Sequence, residues 1–138
     1  MLFTKETDYA IRFFRELADG KQHSVGEITD RQLIPKQFAY KILRKLSKAE
    51  MVKVTRGTKG GCTLNTDLKK TSLYDIMEVI EEKNCLVACM EDGYTCPYRE
   101  SSNGICNVHD NLADVEKILI DELKKHSLHD MFLEGKDN

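Results

Sequence analysis

The sequence lacks several things that would fix its class at once. No apolar run approaches the roughly 18 to 20 residues that a membrane span needs. The N-terminus has no basic start followed by an apolar stretch, so no secretion signal is expected and the expected compartment is the cytoplasm. There are no internal repeats and no low-complexity tract. No glycine-rich phosphate loop, nucleophile–base pairing or spaced carboxylate pair stands out from surface charge, so an enzyme is not expected. The five cysteines include no tight pair separated by two residues, which speaks against an ordinary zinc site. In a cytoplasmic setting they are read as metal or redox candidates before structural disulfides.

What is present is a globular composition with a strong charge polarity. The 138 residues are 41% hydrophobic and 32% charged, which argues against disorder, and the formal net charge is only -2. That small value conceals two opposed segments. Between residues 36 and 59 there are eight basic residues against a single acid, Glu50. From residue 74 onward fifteen acids face six bases. Phosphates attract the first segment and repel the second, so one end is expected to face nucleic acid. A basic helix that is merely solvated is the plainer alternative.

Periodicity orders the chain. Residues 4–18 read as a helix, with Ala10, Phe13, Phe14, Leu17 and Ala18 on one face, and Asp19-Gly20 as its stop. Ser24-Val25-Gly26-Glu27 is a capping-box pattern that opens a short helix to about Gln32. Leu33-Ile34-Pro35 is the turn. A second helix then runs to about Ala49 on a stripe of Phe38, Ile42, Leu43 and Leu46. Two extended runs, 51–55 and 62–65, flank a glycine-rich hairpin loop at 56–61. Helix, short helix, turn, helix and hairpin is the order of a winged helix-turn-helix.

Ser72 and Asp75 start a further helix with Leu73, Ile76, Met77 and Ile80 as its stripe. No period is visible from 83 to 104, an unusual length for a loop in a compact domain. A long helix follows from about Ile105 to Lys125. Its positions Val108, Leu112, Val115, Leu119 and Leu123 form a narrow seam suited to a partner helix. Ser127 opens a last short helix ending near Gly135. The expected fold is mainly α with a small β wing. A DNA-binding domain with its following helix spans 1–82, a cysteine-rich loop 83–104, and a dimerisation helix with a short terminal helix 105–138.

In such a fold the second helix of the pair enters the major groove. Lys36, Gln37, Tyr40 and Lys41 would then reach base edges, glutamine suiting adenine and lysine guanine. Arg44, Lys45 and Lys48 are placed for phosphates, which set register without carrying base identity. Arg56 and Lys59, between glycines in the wing, suit a backbone or a narrow minor groove.

Cys85, Cys89, Cys96 and Cys106 fall in the aperiodic segment or at its edge, with His109 on the same helix face as Cys106. Thiolates and imidazole suit iron–sulfur clusters and, less well at this spacing, zinc. A metal-free loop, or thiols that pair on oxidation, remain open. Cys62 in the wing strand reads as a packed thiol. His23, His126 and His129 read as surface or capping residues.

The two halves together resemble the Rrf-two family of bacterial transcription regulators. The resemblance rests on T-D-Y-A-I-R at 7–12, K-I-L-R-K-L at 41–46, R-G-T-K-G-G at 56–61 and the cysteine cluster. It implies a homodimer on a near-palindromic double-stranded operator, paired through the long helices. It also implies repression or activation switched by a cluster, of two-iron or four-iron type, that reports redox state, nitric oxide or iron–sulfur status. Three cysteines, Cys89, Cys96 and Cys106, are the implied ligands. The fourth is a histidine in some members, matching His109, and an aspartate of the partner subunit in others, matching Asp8; Cys85 is an alternative first ligand. The six residues between Cys89 and Cys96 and the nine between Cys96 and Cys106 exceed the family's usual spacing. Two further readings stand beside this one. One is a cluster-free regulator controlled by a partner protein or by thiol oxidation, and the other a zinc-stabilised DNA-binding module.

Overall fold

The computed structural model describes residues 3–133. In chain order it contains α1 (Lys5–Leu17), α2 (Val25–Gln32), α3 (Lys36–Lys48), β1 (Val52–Thr55), β2 (Gly61–Leu64), α4 (Leu73–Ile80), a 3-10 turn (Ala88–Met90), α5 (Pro97–Ser101), α6 (Asn107–Lys125) and α7 (Leu128–Leu133). The fold is mainly helical with one two-stranded antiparallel sheet, Val52 opposite Leu64 and Thr55 opposite Gly61, as the sequence predicts. Among the described residues no helix is long and apolar enough to cross a membrane.

The core lies where the first three helices, the wing and α4 meet. Ala10, Phe13, Phe14 and Leu17 of α1 are fully buried against Ile28, Ile42, Leu46, Ile76 and Ile80. Burying side chains of this size stabilises by about 1.5–3 kcal/mol each. On α3 the fully enclosed positions are Ala39, Ile42 and Leu46. Phe38, expected in that stripe, is only half-buried and meets Tyr9 edge-on, with centroids 5.1 Å apart.

The capping signals divide. Ser72 and Asp75 form the complete reciprocal box on α4. At α2 only half of the expected box forms: Ser24 Oγ accepts from the Glu27 amide at 3.1 Å. The Glu27 carboxylate turns instead to His23 Nδ1, 3.2 Å away. The reason is His23 itself, which is buried and not on the surface as expected. Its other nitrogen meets Asp19 Oδ2 at 2.8 Å, and a buried ring needs such partners. Leu33 ends α2 in the left-handed region at φ 55° and is the most exposed large apolar side chain of the helix pair.

The wing glycines serve two purposes. Gly57 takes φ 108°, as a hairpin loop requires. Gly61 is needed for closeness instead, because a Cβ there would lie 2.5 Å from the His23 carbonyl oxygen.

The segment from 83 to 104 is not structureless. The 3-10 turn and the short α5, started by Pro97 at its first turn, organise it. The long helix begins at Asn107, with Cys106 as its cap, later than the expected Ile105. It packs on α4 and the 3-10 turn. Yet none of its residues is buried, and the seam of Val108, Leu112, Val115, Leu119 and Leu123 is exposed or half-buried. The chain then returns. The Leu73 amide donates to the His126 carbonyl and the Leu128 amide to the Thr71 carbonyl, which seats Leu128 in the core. The expected end of the last helix near Gly135 lies outside the described residues.

Candidate nucleic-acid interface and cysteine loop

The basic segment folds into one surface. Along α3, Lys36, Gln37, Tyr40, Lys41, Arg44 and Lys48 are exposed, opposite the buried Ala39, Ile42 and Leu46. Arg56 and Lys59 are exposed on the wing. Between helix and wing runs a groove lined by Tyr40, Arg44, Lys48, Lys53 and Arg56, with Glu50 the only acid on its wall among the described residues. Lys53 was not singled out from the sequence. Its signal in the sequence is the alternation of residue types in V-K-V-T at 52–55, of which only Val52 is buried.

Lys45 departs from the sequence expectation that placed it toward phosphates. It is half-buried, its Nζ lies 2.8 Å from Glu6 Oε1, and it donates to the Ile80 carbonyl at 2.7 Å. Lys45 lies three residues from buried Ile42, so it faces α1 and α4 rather than the groove. Lys41 also reaches Glu6, at 3.1 Å, but its side chain stays 54% exposed.

Backbone bonds hold the wing. His23 and Cys62 exchange amide–carbonyl bonds of 3.0 and 2.7 Å, and Gln22 Nε2 donates to the Lys59 carbonyl at 2.6 Å. Cys62 is packed, as the sequence suggests. Burial pushes its thiol up to about 11, which leaves it protonated and unsuited to ligation.

Two of the loop's cysteines meet His109, one at its ring and one at its backbone amide. Cys89 Sγ lies 3.4 Å from His109 Nδ1, and Cys106 Sγ accepts from the His109 amide at 3.4 Å. Arg99 approaches the other ring nitrogen at 3.5 Å and binds the Gly104 carbonyl, which ties α5 to the start of α6. Cys89 and Cys96 line one open cleft with Tyr94 and Arg99. None of the five thiols is in a disulfide. Among the described residues no three ligand-type side chains are close enough to hold a metal ion. Three thiols and an imidazole in one region are nonetheless the donor chemistry of an iron–sulfur ligand set.

The alternative ligands are Asp8 and Cys85. Asp8 is on α1 and pairs with Arg12 at 2.9 Å. Burial pushes the Cys85 thiol up, and the charges of Glu116, Glu91 and Asp92 push it further. The loop's first limb is pinned nearby, where the Leu86 amide donates to Glu116 Oε2 of α6 at 2.8 Å.

Comparison with known proteins agrees with this architecture. The protein Aau3 of Rhizobium meliloti (strain 1021) is 28% identical over 134 residues, covering 95% of this chain and 84% of that protein. The structure of CymR, the global cysteine regulator of B. subtilis, superimposes with a TM-score of 0.71 at 19% identity, over 99% of both chains. The IscR of T. potens gives 0.67 at 19% identity, over 100% of this chain and 94% of that one. At such identities these two structures establish the fold. The family model described as "Rrf2: Iron-dependent Transcriptional regulator" matches residues 3–134. The chain therefore belongs to the Rrf2 family of DNA-binding transcription regulators and is not an enzyme.

Proposed function

We propose that this regulator reads a near-palindromic operator as a homodimer, through α3 and the wing. We further propose that its cysteine loop senses redox, nitric oxide or iron–sulfur status through an iron–sulfur cluster. On the DNA side, Lys36, Gln37, Tyr40 and Lys41 are assigned to base edges. Arg44, Lys48, Lys53, Arg56 and Lys59 are assigned to phosphates, and Lys45 is reassigned to holding α3 in place. The groove between helix and wing supports the phosphate assignment, because four exposed cationic side chains, Arg44, Lys48, Lys53 and Arg56, line it.

On the sensing side, the observation that carries the reading is the contact of Cys89 Sγ with the His109 imidazole, with Cys106 capping the helix that carries that ring. Cys89, Cys96, Cys106 and His109 are the proposed ligands, with Asp8 and Cys85 as the alternatives. When bound, such a cluster supplies iron–thiolate bonds that oxygen, nitric oxide or iron shortage destroys. The chain's own residues do the rest. Glu116 and Arg99, the latter through His109, hold the two limbs of the loop on α6, and α6 carries the apolar seam for a partner helix. A changed loop would thus alter how two reading helices are set, about 34 Å apart on the duplex.

Protein purified without oxygen is expected to be brown, with iron and sulfide in matching amounts. Cys96→Ala is expected to bleach it and to change operator affinity by more than a few fold. A colourless, iron-free protein with unaltered DNA binding would reject cluster sensing and leave the DNA-binding assignment standing. The second reading is control by thiol oxidation without a cluster. It is favoured by the shared open cleft of Cys89 and Cys96, and it predicts an affinity change with a mild oxidant that iron chelation does not reproduce.

A further inference from the structure

One carboxylate on α1 sits between the reading helix and the point where the cysteine loop begins. Glu6 is largely enclosed, its side chain 14% exposed, and each of its oxygens takes a different lysine of α3. Oε1 holds Lys45 at 2.8 Å and Oε2 holds Lys41 at 3.1 Å. Burial pushes the Glu6 carboxyl up, but the Lys45 and Lys41 ammonium groups outweigh this and hold it below its usual range.

Lys45 also donates to the Ile80 carbonyl at 2.7 Å. Ile80 is the last residue of α4, where carbonyls lack a helical partner and a cation is favoured. The next residue, Glu81, accepts from the hydroxyls of Thr4 and Thr7 at the start of α1. These contacts close one junction of α1, α3 and the root of the cysteine loop, around a cleft lined by Thr4, Glu6, Phe38, Lys41, Ile80 and Glu81.

The two lysines are not equivalent in this junction. Lys45 is half-buried and has two acceptors. Lys41 is exposed, has Glu6 as its one ion-pair partner among the described residues, and lies on the face proposed to read DNA. A phosphate and Glu6 present the same chemistry to it, an anionic oxygen about 3 Å from an ammonium group.

We infer that Glu6 is a positioning residue for operator binding. It holds Lys41 back from the phosphates and ties the reading helix, through Lys45, to the root of the cysteine loop. The inference deepens the proposed function and rests on it for the loop's part. A shift of the root would strain the Lys45 tie and change how Lys41 is offered to DNA.

The test uses the full chain, a duplex of random sequence, and an operator selected from a random duplex pool. Glu6→Gln keeps the shape and removes the charge. Each phosphate contact contributes about -0.9 to the slope of log affinity against log salt. Glu6→Gln is therefore expected to steepen that slope on the random duplex by about one and to narrow the preference for operator. Adding Lys41→Ala should return the slope to the wild-type value, and Glu6→Asp should leave it unchanged. Weaker binding with an unchanged slope and a lower melting temperature would mean that Glu6 only props up the fold, and would overturn the inference. For the loop, Cys96→Ala is compared in wild-type and Lys45→Met backgrounds. Its effect on operator affinity should shrink several fold in the second, and an undiminished effect would overturn the tie. If Cys96→Ala has no effect in the wild type, the sensing reading and the tie both fail, and the salt slope alone decides the hold on Lys41.

Discussion

His23 joins the wing to the helices through both its backbone and its ring. The backbone pairs with Cys62, while the ring lies between Asp19 and Glu27, with Glu16 at 3.9 Å. Asp19 and Glu27 are partly exposed, so each contact is weakened by solvent. Losing both by His23→Gln is expected to lower stability by about 1 kcal/mol, read as a lower urea midpoint at constant slope. The neighbouring carboxylates set the pH response. Burial pushes Glu16 up, but hydrogen bonds from Gln32 and Arg31 and the charges of Arg31 and His23 outweigh it, so its carboxyl falls below the usual 4.5. Asp19 is held below 3.8, chiefly by the Lys21 amide. Groups lowered by folding stabilise above their unfolded values and lose that contribution as pH falls through the folded ones. Unfolding midpoints should therefore drop below about pH 4.5, and a flat profile there would refute the assignment. At this scale the sequence is only partly legible. Cys62 could be read as packed because it lies in a wing strand. The burial of His23 and the inward turn of Lys45 could not, because each depends on a partner far along the chain, the Cys62 backbone for His23 and Glu6 for Lys45.

Helices and strands were legible wherever one face is buried, because burial imposes the period. That is why α1 and α3 stand within a residue or two of their expected bounds, and α4 starts where Ser72 and Asp75 place it. The segment after α4 failed for the converse reason. Its 3-10 turn and α5 bury no residue, so no period marks them, and only Pro97 at a helix start gave a sign. The wing shows what a motif string hides. Glycine at 57 is required for its dihedral, but glycine at 61 is required for its closeness to His23. Gly61→Ala must push one backbone off another, because the obstructing atoms are the His23 carbonyl group itself. A cost of about 1–3 kcal/mol is expected. Wing displacement should accompany it, seen as chemical-shift changes in β1 and β2 and weaker DNA binding. Retention of both stability and affinity would show that the wing is not anchored through this approach.

At the scale of the whole molecule, charge and apolarity are segregated in a way one chain does not complete. The basic groove lies at the helix pair and wing, while α6 carries acids and an apolar seam. Val108, Val115, Ile118 and Leu119 are exposed on a nineteen-residue helix that buries none of its own side chains. Apolar side chains recurring along a helix without cover favour a partner, and a second copy of α6 offers the complementary seam. Two half-sites bound by linked reading heads gain affinity over separate ones by about 10²- to 10⁴-fold, without any new DNA contact. Leu119→Glu separates these effects, because Leu119 contributes nothing to the buried core of its own chain. The variant should keep its helical circular dichroism and sediment as a monomer. It should lose two or more orders of magnitude on a two-half-site operator, while binding an isolated half-site as wild type does. A variant that remains dimeric would place the pairing surface elsewhere. A monomer with undiminished operator affinity would mean that each reading head binds alone, and would remove the geometric basis for control through the loop at the root of α6.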